Sequence, residues 1–494
     1  MRESGKKKVL YLQLSPTMLS PSPSPCPSPS ASPSPPAAAS ELSTEEHILL
    51  LASADHNLSV LGPLLRSHRP TCQEPRTLQT PLHKAILGFA AYAGATGDTD
   101  RERLAQAEAT VRLLLENGAI WNDLDHEGMT PGCYAHKFGL AELYEVMVDA
   151  GVRAELLLGR LGGWVRLGDG DGDGDGDEDG DEEEGEEEER GEERERGRGR
   201  GDGQATKVEK DENKEEDEKR LAQNYTTGEG SPEWSDLTAV TSPEYLSSRL
   251  TYQEDRLVDS SSNGVMMAWE TDIMKQTAAL LLSPFSGATN ANTSTTANST
   301  TSITPPPQGP RILNIGFGMG IIDSLFRSHG PPPSKHTIIE AHTDVLCTHL
   351  HATSTWAKDP TIEIIPKLWQ DALPELISPA DGGPPRTYDI IYFDTFAEPY
   401  SSLRDFFTEY VPLLLDPLRG RFSFFNGLGA DRKISYDVYR KVAELDLFEA
   451  GLETEWSVVK VPDLVACGEW EGIRRRYWCL DEYWLPVCRI EEAK

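Results

Sequence analysis

The chain has few cysteines, no long apolar run and no excess of basic residues. Its seven cysteines are spread over 494 residues without a Cys-x-x-Cys pair, which argues against a zinc site or a disulfide framework and predicts thiols in a reducing compartment. No apolar run reaches the ~18 residues that a membrane span needs. A formal net charge of −34 disfavours direct binding to nucleic acid. We therefore expect no membrane partner, no direct nucleic-acid partner and no metal.

Three low-complexity segments divide the chain. Residues 1–40 are a tail rich in proline and serine, and residues 159–230 are an acidic linker in which residues 169–219 hold 26 acidic and 9 basic side chains. Residues 283–310, rich in serine, threonine and asparagine, are an insertion. Such compositions cannot bury a hydrophobic core, so we predict that all three segments are disordered. The Arg-Gly run within the linker leaves open whether the linker is itself modified.

Residues 41–158 have the pattern of an all-α, ankyrin-like module. Residues 80–85 match the ankyrin opening T-P-L-H-x-A in full, and residues 130–135 are a degraded second copy. Because the ankyrin period is about 33 residues, we place an insert between the copies, at residues 95–107. Two or three repeats are few for independent stability, so we expect the module to be stabilised by packing against the rest of the chain. An unrelated pair of helices is the alternative.

Residues 311–340 have the pattern of a nucleotide-binding strand–turn–helix–strand unit. An apolar run ends in a turn containing Gly316, Gly318 and Gly320, a helix-competent segment follows, and Glu340 ends the next apolar run. Glycines let the backbone approach a ligand, and an acid in this place holds ribose hydroxyls. The pattern fits a nicotinamide cofactor, S-adenosylmethionine, or a turn without a ligand; the spacing of the glycines favours S-adenosylmethionine.

Residues 231–494 alternate strand-like and helix-like runs, as a doubly wound α/β sheet does. We predict helices that include 402–415 and 434–449, and seven strands of which the last two form a hairpin. The strands are placed at 312–316, 336–341, 362–366, 388–394, 421–427, 455–461 and 476–481.

Two acidic residues are placed to act at one pocket. Ligands of an open α/β sheet bind at the carboxyl ends of its strands, where Asp394 ends an apolar run. Glu270 stands at the opening of a helix that precedes the sheet. Two carboxylates can hold a guanidinium group, whose planar donors they match bidentately, and can accept its proton as a methyl group arrives. Trp369, Gln370 and Asp371 follow the third strand, where the adenine of a cofactor would lie.

Five motifs resemble, in this order, those of the fungal arginine N5-methyltransferases, also called type IV protein arginine methyltransferases. They are VMMAWE (265–270), LNIGFGMGIID (313–323), IIEAH (338–342), KLWQD (367–371) and YFDTFAEPY (392–400). The similarity to guanidinoacetate methyltransferase is weaker. The resemblance covers about residues 235–494, and an ankyrin-like front is also a feature of the fungal family.

The resemblance implies a class I methyltransferase sheet, S-adenosylmethionine as cofactor, and methylation of the δ-nitrogen (N5) of arginine in a protein, with a large-subunit ribosomal protein in the substrate class. It implies a cytoplasmic and nuclear enzyme whose ankyrin-like module docks the substrate. The rival interpretations are a methyltransferase of a small guanidino compound and a non-catalytic ankyrin scaffold.

Roles for individual residues follow from the same resemblance. Glu270 and Asp394 are the implied substrate carboxylates, with Asp394 near both ligands. Asn314 departs from the acidic residue common there in the wider methyltransferase class, so we assign it no cofactor role. The implied cofactor contacts are Tyr252, Met274, Gly316, Phe317, Gly318, Met319, Gly320, Ile321, Glu340, Ala341, His342, Trp369, Gln370 and Asp394.

Overall fold

The computed structural model describes residues 42–91, 98–165, 240–253, 255–286, 309–351, 354–380 and 382–491. The predicted tail at 1–40, and most of the predicted linker and insertion, lie outside these ranges. Both the helical front and the sheet belong to one compact unit that begins at Leu42. Within the described ranges, no helix is long and apolar enough to cross a membrane.

The described part of residues 42–165 is all-α. Its helices are α1 (Thr44–Ala54), α2 (Leu58–Leu64), α3 (Pro81–Ala90), α4 (Asp98–Glu116), α5 (Pro131–Lys137) and α6 (Ala141–Val165). Both Thr-Pro sequences begin a helix. The Thr80 hydroxyl caps α3 and the Thr130 hydroxyl caps α5, while each proline stands where its missing N–H has no partner to lose. His83 Nε2 lies 2.9 Å from the carbonyl oxygen of Met129 and so links the two copies. The ankyrin-like character of this module stays a prediction.

Two boundaries in this module differ from the expected ones. Residues 98–107, where we placed an insert, belong to helix α4. Helix α6 continues through Val165, beyond residue 158. Gly159, Gly162 and Gly163 have low helix propensity, so the sequence did not predict the last turns of α6.

The rest of the chain is built on a seven-stranded sheet with the order β6-β5-β4-β7-β8-β10-β9. Its strands are β4 (Arg311–Ile315), β5 (Lys335–Ile339), β6 (Ile362–Ile365), β7 (Ile390–Phe393), β8 (Arg421–Phe424), β9 (Leu452–Lys460) and β10 (Glu482–Ile490). Neighbouring strands from β6 to β8 are parallel, and β10 is antiparallel to both β8 and β9. The chain therefore reverses its winding direction at β4, and the expected doubly wound sheet is confirmed.

Helices cover both faces of this sheet. They are α7 (Ser242–Ser247), α8 (Thr271–Ser286), α9 (Ile321–Ser328), α10 (Thr343–Val345), α11 (Ser354–Ala357), α12 (Trp369–Ile377), α13 (Tyr400–Asp405), α14 (Val411–Leu414) and α15 (Lys433–Glu449). Alternate residues of β4 enter different cores: Ile312 packs with α8 and α9, while Leu313 packs with α12 and α14. A small antiparallel sheet of β1 (Thr251–Tyr252), β2 (Arg256–Val258) and β3 (Gly264–Met267) precedes α8.

The last predicted strand was wrong. Residues 476–481 are irregular, and the strand that pairs with β9 is Glu482–Ile490. Trp478 and Leu480 are buried and Cys479 between them is exposed, an alternation that resembles a strand, but these residues lie in a loop. The predicted helix at 402–415 is interrupted by a π-helical turn at Phe406–Tyr410, the predicted helix at 434–449 is confirmed by α15, and α8 extends to Ser286 into the predicted insertion.

The helical module is completed by α15. Ile434, Val438 and Val442 of α15 are buried in the same apolar cluster as Leu82 and Ile86 of α3. The Tyr144 hydroxyl of α6 donates to Asp437 Oδ2 at 2.7 Å. Because burying an apolar side chain is worth about 1.5–3 kcal/mol, the module and the sheet stabilise each other through this helix.

Candidate functional site

The turn after β4 is held by left-handed glycines. Gly316, Gly318 and Gly320 have φ angles of 86°, 54° and 70°, a region that side chains with a Cβ rarely adopt. A Cβ on Gly316 would lie 2.0 Å from the carbonyl oxygen of Asp394, and one on Gly320 would lie 2.4 Å from the ring of Phe317. A Cβ on Gly318 would instead meet the flexible side chain of Met266 at 2.7 Å. Gly316 and Gly320 are therefore needed by the fold of the turn itself.

Glu340 at the end of β5 braces this turn. Its Oε2 accepts the Phe317 N–H at 2.9 Å and its Oε1 accepts the His342 N–H at 2.7 Å. Burial raises the pKa of the Glu340 carboxyl, and these backbone donors oppose the rise. The carboxylate thus stands fixed at the carboxyl edge of the sheet, beside the glycines.

Asp394 directly follows β7 at the same edge. Its backbone N–H donates to the Ile315 carbonyl at 2.9 Å, which holds it beside β4. Its Oδ2 is enclosed and has no hydrogen-bond partner among the described residues. Burial, followed by repulsion from Asp323, raises the pKa of Asp394 to about 7. A buried carboxylate oxygen without a donor is costly, so Asp394 has unused capacity to bind a cationic donor.

Glu270 reaches the site from the other side. It ends the 3₁₀ turn Ala268–Glu270 that joins β3 to α8, and it is only 3% exposed. The Tyr477 hydroxyl donates to its Oε1. Burial, followed by repulsion from Asp394, raises the pKa of Glu270 well above its usual value. The structure therefore brings the two predicted carboxylates to the lining of one cavity.

These groups line one cavity of about 250 Å³ at the carboxyl ends of β4, β5 and β7. Of the predicted residues, the cavity is lined by Glu270, Gly316, Gly318, Glu340, Ala341, Trp369 and Asp394. This is the edge of a doubly wound sheet at which ligands bind. Within the described ranges, no group of His, Cys, Asp and Glu is arranged to hold a metal ion.

The other predicted residues are not part of this lining. Phe317 and Met274 are buried in the core between α8 and α9, and the Tyr252 hydroxyl donates to the Gly318 carbonyl at 3.2 Å. His342 is buried, with Nε2 3.1 Å from the Tyr245 carbonyl oxygen. The remaining four, which are not part of the lining, are Met319, Gly320, Ile321 and Gln370. Direct cofactor contacts of this group stay predictions.

Sequence reasoning missed several residues of the lining. Tyr477 lay in a segment that we took for a strand, and Glu398 lay within a quoted motif without a role. The Trp369 Nε1–H donates to both oxygens of Glu398, at 3.0 and 3.1 Å. Tyr245 of α7 closes the opposite side, with its ring centroid 4.8 Å from His342 and 5.0 Å from Phe396. The one signal in the sequence was the aromatic content of these segments, which predicts that they are buried. Burial by itself does not distinguish a residue of a functional site from a residue of the core.

The lining fits the cofactor that the sequence predicts. Gly318 leaves a backbone approach that a side chain would fill, Glu340 offers carboxylate oxygens to hydroxyl donors, and Asp394 has a carboxylate oxygen that no described residue satisfies. Two acidic side chains also suit a positively charged ligand group. S-adenosylmethionine has both a ribose and a sulfonium charge, so the residues present match it.

Comparison with known proteins gives relatives along nearly the whole chain. Protein arginine N-methyltransferase 2 of Aspergillus oryzae is 41% identical over 468 residues, which cover 92% of this chain and 98% of that protein. The protein of the same name from Emericella nidulans is 42% identical, covering 91% and 97% of the two chains. The one from Neurospora crassa is 44% identical over 428 residues, covering 84% and 88%. No family model matches the chain.

Solved structures are only remotely similar. Spermidine synthase from Thermotoga maritima is 12% identical, with 49% of this chain and 71% of that chain covered and a TM-score of 0.29. Aeropyrum pernix fibrillarin in complex with natively bound S-adenosyl-L-methionine is 16% identical, with 49% and 83% covered and a TM-score of 0.26. Scores this low carry no argument, and the fold rests on the strand order given above. The sequence relatives, by contrast, span both the helical module and the sheet at more than 40% identity, and the chain belongs to the protein arginine N-methyltransferase 2 family of fungi.

Proposed function

We propose that the chain methylates the δ-nitrogen (N5) of an arginine residue in a protein, with S-adenosylmethionine as the methyl donor. The observation that carries this proposal is the pair of carboxylates in the cavity that the glycine turn and Glu340 also line: Glu270, which is buried, and Asp394, whose Oδ2 is enclosed without a hydrogen-bond partner among the described residues. Membership of the arginine N-methyltransferase 2 family supports the reaction class.

S-adenosylmethionine, when bound, supplies a methyl group on a positively charged sulfur atom. In this chain Glu340 would hold the ribose hydroxyls, Gly316 and Gly318 would let the backbone approach, and Trp369 would form an apolar wall. Trp369 is suited to this because it is 5% exposed and its indole N–H is already fixed by Glu398. These side chains are preorganised, which lowers the entropic cost of binding.

Glu270 and Asp394 act on the arginine. Its guanidinium is protonated at neutral pH, so the attacking nitrogen has to lose a proton as the N–CH₃ bond forms and the CH₃–S bond breaks. A carboxylate with a raised pKa is a suitable acceptor near neutral pH, and Asp394 has such a pKa. The partner carboxylate holds the remaining N–H donors and keeps the nitrogen in line with the methyl group.

The choice of the δ-nitrogen is proposed on the resemblance to the fungal N5-methyltransferases, and so is a ribosomal protein as the substrate. A protein substrate also suits a second cavity of about 880 Å³ between the helical module and the loop that precedes β10. That cavity is lined by residues of both parts, including Met129, His136, Lys137, Pro462, Leu464 and Trp470. We propose this side of the module as the docking surface, in a cytoplasmic and nuclear enzyme.

One experiment separates this function from its rivals. Purified chain is incubated with labelled S-adenosylmethionine and either an arginine-containing protein extract or free guanidinoacetate. The proposal predicts label in protein and little in guanidinoacetate, whereas the reverse result would indicate a small-molecule methyltransferase. Absence of S-adenosylmethionine binding by calorimetry would indicate a non-catalytic scaffold.

A further inference from the structure

Tyr477 occupies a place that nothing in the reaction described so far uses. It lies in the loop between β9 and β10 and lines the catalytic cavity, 207 residues along the chain from Glu270. Its hydroxyl donates to Glu270 Oε1. The contact joins the turn Ala268–Glu270, which precedes the sheet in the sequence, to the loop that precedes β10.

The ring of Tyr477 is held in place by packing. It meets Trp470 edge-on with centroids 5.1 Å apart and lies 6.0 Å from the ring of Trp269. A Cβ on Gly264 would lie 3.3 Å from Tyr477 Cε1, so the absence of a side chain at the start of β3 makes room for the ring. A hydroxyl on a ring fixed from several sides has few other orientations, and its bond to Glu270 is therefore preorganised.

We propose that Tyr477 is a positioning residue for the reaction. It acts on the arginine through Glu270, because holding Oε1 fixes the orientation in which the carboxylate meets the substrate. This inference rests on the proposed function of the cavity. A free carboxylate rotates about its terminal bond and presents its oxygens in many orientations. With Oε1 held, the remaining oxygen has a defined direction, as alignment of the guanidinium requires.

The electrostatics of Glu270 support this role. The titratable groups that face it are Asp394, Tyr392, Tyr477 and Tyr483. Burial and Asp394 raise the pKa of Glu270, whereas the hydroxyl of Tyr477 and the backbone N–H of Met267 lower it. Loss of the hydroxyl therefore favours the protonated carboxyl, which cannot accept a donor at both oxygens.

The test is Tyr477→Phe, which removes the hydroxyl and keeps the ring. We expect kcat to fall by about 10- to 100-fold, the scale of one hydrogen bond to a charged group, while S-adenosylmethionine affinity measured by calorimetry stays within about twofold. The acid limb of the pH–rate profile should move to higher pH. Tyr388→Phe is the matched control, because Tyr388 is also buried but lies at the opposite end of β7 and donates to Thr337 Oγ1. Tyr388→Phe should change neither kcat nor the pH–rate profile.

The double variant Tyr477→Phe/Glu270→Gln separates positioning from a general structural effect. If Tyr477 acts through Glu270, the double variant has the same kcat as Glu270→Gln alone, whereas independent effects would multiply. Equal kcat and an unshifted pH profile in Tyr477→Phe would overturn the proposal, and so would multiplying effects. If wild-type chain methylates no arginine, the proposed function fails; if it does and Tyr477→Phe matches it, only the role of Tyr477 fails.

Discussion

The two walls of the catalytic cavity are built in different ways. One wall consists of the carboxyl ends of parallel strands, where Gly316, Glu340 and Asp394 are brought together by the register of β4 with its neighbours. The other wall consists of Glu270, from a turn before the sheet, and Tyr477, from a loop near the end of the chain. The first wall depends on backbone geometry, and the second depends on side-chain contacts between distant segments. Substitutions in the first wall should therefore affect cofactor binding, whereas substitutions in the second wall should affect turnover.

Gly318→Val tests the first wall and should have the largest effect. We expect S-adenosylmethionine binding to fall below detection by calorimetry, because a β-branched side chain fills the approach to the cavity. The fold should persist, because the side chain meets the flexible Met266 and the backbone strain at a φ of 54° is confined to the turn. Gly330→Val is the control: Gly330 has a φ of 103° and is not in the cavity lining. Normal binding by Gly318→Val would show that the cofactor does not lie against this turn.

Glu270→Gln and Asp394→Asn test whether the two walls act together. Each should lower turnover by about 10²-fold or more, the usual scale for losing acid–base or electrostatic assistance. Glu270→Gln should bind S-adenosylmethionine nearly normally, since Glu270 belongs to the wall that we assign to the substrate. Asp272→Asn, two residues along and exposed, is the control and should be fully active. Wild-type turnover in both carboxylate variants would rule out the two-carboxylate mechanism.

The pH dependence of stability tests whether Asp394 keeps its proton in the folded chain. Its pKa in the folded chain is about 7, against about 3.9 in an unfolded chain. Between these values the folded state keeps a proton that the unfolded state has released, so Asp394 lowers the free energy of unfolding as the pH rises from about 4 to 7. Urea unfolding at several pH values should show a smaller decline for Asp394→Asn than for wild type. An identical decline would mean that Asp394 is already ionised in the folded chain.

The two Thr-Pro copies of the helical module also differ in whether a distant segment packs against them. In the first copy Leu82 contributes a side chain to the apolar cluster of the module, whereas in the second copy Gly132 stands at the same place and leaves room for Ile434 of α15. Gly132→Ala should lower the free energy of unfolding by about 1–3 kcal/mol through overpacking. The control Gly62→Ala, in a helix with open space around it, should be neutral or stabilising by up to about 1 kcal/mol. Equal effects of the two changes would show that Gly132 does not mark an interface.

The features that could be predicted from the sequence are those that depend on a short local pattern. The glycine turn, Glu340 and Asp394 were predictable because a strand that ends in a glycine turn or an acid places its terminal residue at the ligand edge of the sheet. Glu270 was paired with Asp394 because it stands at the opening of the helix that precedes the sheet, and the resemblance of its motif implied the same role. Tyr477 was not found, because its role depends on which distant segment it meets, and the aromatic run around it imitates a strand. Nor could the sequence explain why the second Thr-Pro copy has Gly132 at this place, because the space beside Gly132 is filled by Ile434 of the distant helix α15.

Identification of the methylated nitrogen is the most direct test of the proposed reaction. Wild-type chain and Glu270→Gln are incubated with S-adenosylmethionine and an arginine-containing protein extract, and the methylated fragments are analysed by mass spectrometry that distinguishes δ-methylarginine from terminally methylated arginine. We predict δ-methylarginine in the wild-type reaction and at least about 10²-fold less of it with Glu270→Gln. Methylation at a terminal nitrogen, or δ-methylarginine formed equally well without the Glu270 carboxylate, would contradict it.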